Sequence, residues 1–238
     1  MKTSKKGLWT AVAIIALFGA SLFLAVTGVQ IEGPGDVFRN LWLVLWMQLL
    51  YCGLFITAHD ACHGSVAPGR PRINLWIGRV AAFLYAGFFF DSMRAKHHRH
   101  HEAPGSASDP DYLGDSSGSA SFIPWIWRFF RNYLGAGQLV FLFALGQFLM
   151  QHTHLPHANL QLFWIIPAIS SALQLFYFGT YLPHRRIGEE EHPDHHHSRN
   201  SSMPFLFSFL TCFHFGAHHH THHSKPAVPW FGLPFVVK

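Results

Sequence analysis

Three stretches of this chain carry no charged side chain for long enough to cross a lipid bilayer: Leu8 to Val29 (22 residues), Leu41 to Ala58 (18) and Leu160 to Pro183 (24). About 20 helical residues span the hydrocarbon core of a membrane. Unbroken apolar runs of that length read as membrane spans. Leu134 to Gln151, 18 residues long, is a weaker fourth run. The fold expected is an all-α membrane protein of four transmembrane helices, near residues 8–29, 41–58, 134–151 and 160–183, forming one integral-membrane domain over residues 1–238. The first run follows Lys2, Lys5 and Lys6 as a signal peptide would, but it is too long for such a peptide's apolar region and lacks a small-x-small cleavage site. It reads as a retained span.

Charge orients these spans, because Lys and Arg near span ends favour the cytoplasmic side. With four spans the outer loops are residues 30–40 and 152–159, and of 17 basic residues they contain only Arg39. Both termini are therefore expected in the cytoplasm. Leu75 to Phe90 is short for a span and is interrupted by Arg79. An interfacial or shallow re-entrant helix suits it better. Formal net charge is +5, but the basic residues flank apolar spans and form no aromatic-interleaved groove, so anionic membrane lipid rather than nucleic acid is the expected partner. Cys52, Cys62 and Cys212 sit in apolar contexts and read as reduced, buried thiols. Gly114 to Ser121 reads as a flexible loop before an amphipathic segment at 124–133.

Against this background the histidines stand out. They form His59-x-x-x-His63, His97-x-x-His100-His101 and His219-x-x-His222-His223. Residues three or four apart share a helix face, so each set is a chelating pattern, with the first histidine expected to converge with the following pair on one point. Eight imidazoles exceed the four that one tetrahedral zinc takes, and the number suits two metals. On the four-span arrangement all three clusters fall at the cytoplasmic face, as a histidine-rich di-metal cap with interfacial helices. Imidazole serves iron, copper, nickel or zinc alike. Oxygen chemistry argues for two Fe2+ ions, which with O2 and electrons from an external donor can attack an unactivated C–H bond.

The residues around these clusters resemble a family. Thr57 to Ser65, His97 to Asp111 with its Ala103-Pro104-Gly105 and Asp109-Pro110-Asp111 segments, Phe176 to Arg185, Leu210 to Gly216, and Pro226, Pro229-Trp230 and Leu233-Pro234 are similar to bacterial β-carotene ketolases, within the membrane fatty-acid desaturase and hydroxylase superfamily. The resemblance covers nearly everything from residue 40 onward. It implies O2-dependent oxidation of the β-ionone ring C4 methylene to a ketone, converting β-carotene through echinenone to canthaxanthin. It also implies that His184, at the end of the last span, is a ninth metal ligand, and that the electrons come from an external donor, for which a ferredoxin is one candidate. The long apolar carotenoid is expected to enter from the bilayer between spans. The chain departs from the family pattern at Ala217-His218, Thr221 and Phe231, none of them a predicted ligand.

Other histidines have blander readings. His98 and His220 occupy variable positions inside the motifs and are expected to be solvated or to support the ligands. His195, His196, His197 and His214 are placed outside the metal's immediate shell, and His152, His154 and His157 at the opposite membrane face. His192 and His218 have no argument beyond neighbourhood. Asp60, Asp109, Asp111 and Asp194 could accept the second N–H of ligand imidazoles or simply shape turns. Trp42, Trp46, Phe88 to Phe90 and Trp125 are expected mostly at the lipid surface. A carotenoid hydroxylase or a fatty-acyl desaturase would use similar clusters. A histidine-rich metal transporter would instead place its ligands near the bilayer midplane.

Overall fold

The computed structural model describes residues 5–113, 121–186 and 194–236, and the regular elements among them are all helical. Lys2, nearly all of the Gly114–Ser121 stretch and His192 lie outside the described residues. Three helices are long and apolar enough to cross a membrane: α1 (Lys6–Gly28), α3 (Leu41–Cys62) and α8 (His157–His184). The number rises to five if each of two sharply bent pairs is one span: α4 (Pro71–Ala86) with α5 (Phe90–Glu102), and α6 (Phe122–Tyr133) with α7 (Ala136–His152). The fourth run is thus a helix, though it passes the length test only together with α6. A short α2 (Pro34–Arg39) precedes α3, and α9 (Phe205–Cys212), α10 (His219–Ser224) and a 3-10 turn at Trp230–Phe235 complete the chain.

Helix α3 is the axis of the bundle. Met47, Tyr51, Cys52, Leu54 and Ile56 are fully enclosed, whereas α1 turns Trp9, Leu17, Phe23 and Leu24 outward, as a lipid-facing helix does. At one end of the bundle, Asn159 at the start of α8 is buried and donates its Nδ2 to the carbonyls of Ala25, Val26 and Val29, at 3.1, 3.3 and 2.7 Å. These carbonyls close α1 and lack partners of their own within it, so one amide both caps α1 and docks α8. At the other end Gly7 approaches the Ser65 and Val66 carbonyls so closely that a Cβ would stand 2.6 Å from oxygen. The Lys6, Cys62 and His184 ends therefore gather together, and the Gly28 and His157 ends lie opposite.

The α4–α5 pair starts and finishes at the Cys62 end. Asn74, in the first turn of α4, exchanges hydrogen bonds with the Ala67 backbone at 2.7 and 3.0 Å. Tyr85, near the other end of α4, packs on Tyr51 and Phe55 partway down α3. Gly87 then stops the helix in the left-handed conformation (φ 66°), with its N–H on the Phe83 carbonyl and that of Phe88 on Ala82. After a bend of 99°, α5 climbs back until His97 faces His63. The two ends of this segment therefore meet the same end of α3.

Two π-helical turns in α8, Gln161–Ile165 and Tyr177–Tyr181, each end two residues before a proline, Pro167 and Pro183. A proline ring clashes with the carbonyl four residues earlier and offers no N–H, and a widened turn relieves both. The second of these turns sets the rotation of the last residues of α8, with Thr180 and His184 buried. Cys52, Cys62 and Cys212 are buried free thiols, as expected. Two aromatics differ from expectation: Trp125 and Phe90 are core residues rather than lipid-facing ones, at 1% and 2% exposure. A ring this deep needs a partner for its polar edge, and Trp125 Nε1 donates to the Asp111 carbonyl at 2.7 Å.

Candidate metal centre

The three histidine motifs and His184 meet at the Cys62 end of the bundle, each delivered by a different element. His59 comes from the last turn of α3 and His63 caps that helix, His97, His100 and His101 come from α5, His184 from the end of α8, and His219, His222 and His223 from α10. The approach to α10 depends on a sharp reversal after α9. Phe213 and His214 both take left-handed backbone conformations (φ 46° and 68°), and the His214 N–H closes onto the Ser208 carbonyl at 3.0 Å. Such conformations are rare away from glycine. Here they turn the chain so that α10 faces α5.

The nine imidazoles sort into two groups. His59, His63, His97, His101 and His222 form one, and His100, His184, His219 and His223 the other. Within them the Nε2 atoms point at one another: His63 to His97 at 2.8 Å, His97 to His101 at 3.1 Å and His101 to His222 at 3.0 Å. In the second group His184 to His219 is 2.8 Å, His219 to His223 is 3.1 Å and His223 to His100 is 3.2 Å. Nitrogen donors about 2.1 Å from a common ion stand about 3.0–3.4 Å apart at octahedral to tetrahedral angles. The spacing and the common orientation of the Nε2 atoms fit metal ligation, and the donor set suits iron or another imidazole-binding transition metal.

One expectation from the spacing is corrected. Each HxxHH set does not converge on a single point: it is divided. The four-apart pair His97 and His101 joins one group while His100 joins the other, and in α10 His219 and His223 join the second group while His222 joins the first. Positions i and i+4 lie nearly in line along a helix, but position i+3 sits on the other flank of that line. The two motifs straddle both groups, with α5 and α10 facing each other in opposite allegiance.

Burial makes these rings good neutral donors. It pushes His63 down to about 3, aided by its neighbours His98 and His100, and together with adjoining imidazoles it holds His97, His101, His219, His222 and His223 far below the ordinary histidine value. His100 differs. Burial lowers it too, but the Asp111 and Asp109 carboxylates together lift it above the usual value. Its Nδ1 donates to Asp109, with both carboxylate oxygens at 2.9 Å, which fixes the tautomer and aims Nε2 at the group. His184 is fixed likewise, Nδ1 lying 2.7 Å from the His197 backbone carbonyl. Nothing in the sequence singled out that carbonyl. The left-handed residue His197 (φ 44°) supplies it.

The remaining acidic residues divide as well. Asp60 accepts the Trp230 backbone N–H at 3.1 Å and lies 3.8 Å from His59 Nδ1, so it anchors the 3-10 turn. Asp194 Oδ1 accepts the His196 N–H and shapes a turn, and its Oδ2 lies 3.6 Å from His220 Nε2. Asp111 takes the Tyr133 hydroxyl, and burial raises its carboxyl to about 6. His98 faces the Cys62 carbonyl at 3.0 Å, and His214 meets Ser208 Oγ at 3.1 Å beside Trp230. Neither joins the two groups. His195 and His196 pair with Asp194 in an exposed cluster, while His152 and His157 sit around the loop at the far end of the bundle, where His157 Nε2 meets the Met150 carbonyl.

An apolar cavity of about 860 Å³ runs from the bundle to these rings. Its wall includes Phe18, Leu22, Phe55, Tyr85, Phe129, Trp164 and Phe176, and it reaches His59, His97, His100 and His219, imidazoles of both groups. Such a volume matches ordinary small-molecule sites. An apolar guest in it would lie against the imidazole cluster.

Comparison with known proteins bears on this architecture. The fatty acid desaturase family matches over residues 38–154 and 136–238. The chain belongs to the fatty acid desaturase family. Within it the chain groups with β-carotene ketolases: it is 43% identical to the β-carotene ketolase of Paracoccus sp. strain PC1 over 191 residues, 79% of this chain and 74% of that protein. Identity is also 43% to the β-carotene ketolase of Paracoccus sp. strain N81106, over 80% of this chain and 76% of that protein. A zeaxanthin 4-ketolase of Chlamydomonas reinhardtii is 38% identical over 79% of this chain and 42% of its own length. No solved structure matches the chain.

Proposed function

We propose that this protein is a β-carotene 4-ketolase, oxidising the ring C4 methylene to a ketone and converting β-carotene through echinenone to canthaxanthin. The observation that carries this reading is an apolar cavity of about 860 Å³ that reaches two adjoining groups of imidazoles, in a chain 43% identical to β-carotene ketolases. The nine histidines would hold two Fe2+ ions, five side chains around one and four around the other. Iron bound there, with O2 and electrons from an external donor such as a ferredoxin, would supply the oxidising power for an unactivated C–H bond. Each hydroxylation consumes one O2, two electrons and two protons and releases one water. Two at C4 give a geminal diol, which loses water to become the ketone.

The chain's own residues supply binding and orientation. The Phe55, Phe129 and Phe176 side of the cavity offers apolar contact to the polyene and excludes water. Asp109 and the His197 carbonyl keep His100 and His184 in the tautomer that leaves Nε2 free for a metal. For the membrane, α1, α3, α7 and α8 are read as four spans, with α4–α5 re-entrant and α6 interfacial. The imidazoles and both termini then lie in the cytoplasm, at a bacterial inner membrane if the host is a bacterium. A hydroxylase or acyl desaturase would need comparable imidazoles, but the similarity favours neither, and a transporter would not gather its ligands at one end of the bundle.

Expression in a bacterial host that makes β-carotene tests the proposal directly. Echinenone and canthaxanthin are the expected pigments. Rings hydroxylated only at C3, or unchanged β-carotene beside well-inserted protein, would refute it.

A further inference from the structure

The cavity wall is apolar almost throughout, yet beside the imidazoles it includes a carboxylate. Asp111 is 8% exposed and lines the same cavity as His97 and His100. Its N–H donates to Asp109 Oδ1 at 2.8 Å, and Asp109 receives His100 Nδ1 at 2.9 Å. Two hydrogen bonds therefore separate Asp111 from a ring of the cluster. Helix α6 fixes it from two sides: Trp125 Nε1 holds its carbonyl at 2.7 Å, and the Tyr133 hydroxyl donates to its Oδ1. Tyr133 lines the cavity too.

A carboxylate in an apolar wall is costly unless something hydrogen-bonds to it. β-Carotene, a hydrocarbon, has no polar atom to offer. The once-oxidised ring does, because its new C4 hydroxyl is a donor that loses its water partners in this cavity. Making a ketone requires that the same carbon be oxidised twice, and a ring held in place reaches the second oxidation without having to rebind. We propose that Asp111, held by Tyr133, accepts a hydrogen bond from the C4 hydroxyl of the once-oxidised ring and retains that carbon at the imidazole cluster for its second oxidation. The inference rests on the ketolase reading and deepens it: a single carboxylate makes two oxidations at one carbon a sequence within one binding event.

The test compares wild type with Asp111→Asn, Asp111→Leu and Tyr133→Phe in the β-carotene-producing host, with 4-hydroxy and 4-keto rings counted separately. Wild type should release mostly ketone. Asp111→Leu should raise the hydroxy-to-keto ratio about tenfold, as expected for loss of one hydrogen bond to a charged acceptor, with Tyr133→Phe and Asp111→Asn, which keeps a carbonyl acceptor, in between. In parallel, iron-loaded full-length protein in lipid nanodiscs, kept anaerobic so that nothing turns over, is titrated with β-carotene and with its 4-hydroxy and 3-hydroxy derivatives. Wild type should bind the 4-hydroxy compound about tenfold more tightly than β-carotene, and Tyr133→Phe should reduce that preference. An unchanged product ratio in the active variants, or equal wild-type affinity for 4-hydroxy carotenoid and β-carotene, or a preference for the 3-hydroxy compound alone, would overturn the inference. Should Asp111→Leu fail to insert, the titration and Tyr133→Phe still decide. Absence of any oxidised ring from wild type would instead refute the ketolase reading itself.

Discussion

His222 and His223 are neighbours in the chain but serve opposite groups: His222 Nε2 lies 3.0 Å from His101 Nε2, while His223 Nε2 lies 3.1 Å from His219 Nε2. If each group holds one metal, removing either side chain damages a different site. His222→Ala and His223→Ala should each reduce bound iron from about two to about one per chain after anaerobic reconstitution, and each should lower ketone formation at least about a hundredfold, since losing even an orienting partner costs about 10–100-fold. Spectra of the one-iron proteins should differ, because the surviving site has five imidazoles in one variant and four in the other. Identical spectra would mean that the two groups are not separate sites.

Asp109 tests orientation apart from ligation. Its carboxylate sets the His100 ring without reaching the group itself. Asp109→Asn leaves the shape but offers a weaker acceptor, and a possible second donor, to Nδ1. Iron retention against a chelator should fall about 10–100-fold, with inserted protein at the wild-type level. Unaltered retention would show that packing alone orients the ring.

How much of this was legible in the sequence varies with the physics involved. The three long apolar helices follow from the absence of charge over bilayer length, and all nine clustered histidines follow from spacing and family resemblance. The division of each HxxHH set between two groups was not legible, because it depends on how α5 and α10 face each other rather than on either helix alone. The same holds for the His197 carbonyl on His184 and for Trp125, which is buried against Tyr112, Phe176 and Tyr181 with its Nε1 on the Asp111 carbonyl, contacts that composition does not announce. Asp60, Asp109, Asp111 and Asp194 looked alike as turn formers or orienting groups, and tertiary contact alone gave each a different task.

The bystander histidines provide a control on the placement. His152→Ala and His157→Ala alter the end of the bundle marked by Asn159 and should keep most of the ketone yield per inserted protein. His184→Ala removes a ring whose Nε2 lies 2.8 Å from that of His219 and should behave like His223→Ala, which belongs to the same group. Loss at His152 with retention at His184 would invert the assignment.

Orientation in the membrane is tested with reporters. The α4–α5 pair leaves and rejoins the same end of α3, so residues 64–70 and 103–113 should share one side, and residues 152–156 should lie on the other. Reporters fused after the last residue should be active in the cytoplasm, and a cysteine at Thr153 should be labelled from outside by an impermeant reagent. Labelling of that cysteine only after permeabilisation would reverse the orientation.

The bent α4–α5 pair depends on one close approach. A Cβ at Gly78 in α4 would stand 2.3 Å from the ring of Phe90 at the start of α5, and Phe90, 2% exposed, has little free space to move into. Gly78→Ala should therefore push the two helices apart, at a cost of about 1–3 kcal/mol for overpacking, and lift the α5 histidines away from His63 and His222. The expected outcome is a protein that inserts, unfolds at lower temperature in detergent and holds less than its full iron. The paired change Gly78→Ala with Phe90→Leu removes the ring that clashes and should restore a good part of both properties. If Gly78→Ala alone keeps full iron and wild-type stability, α5 does not depend on this contact for its position beside α3.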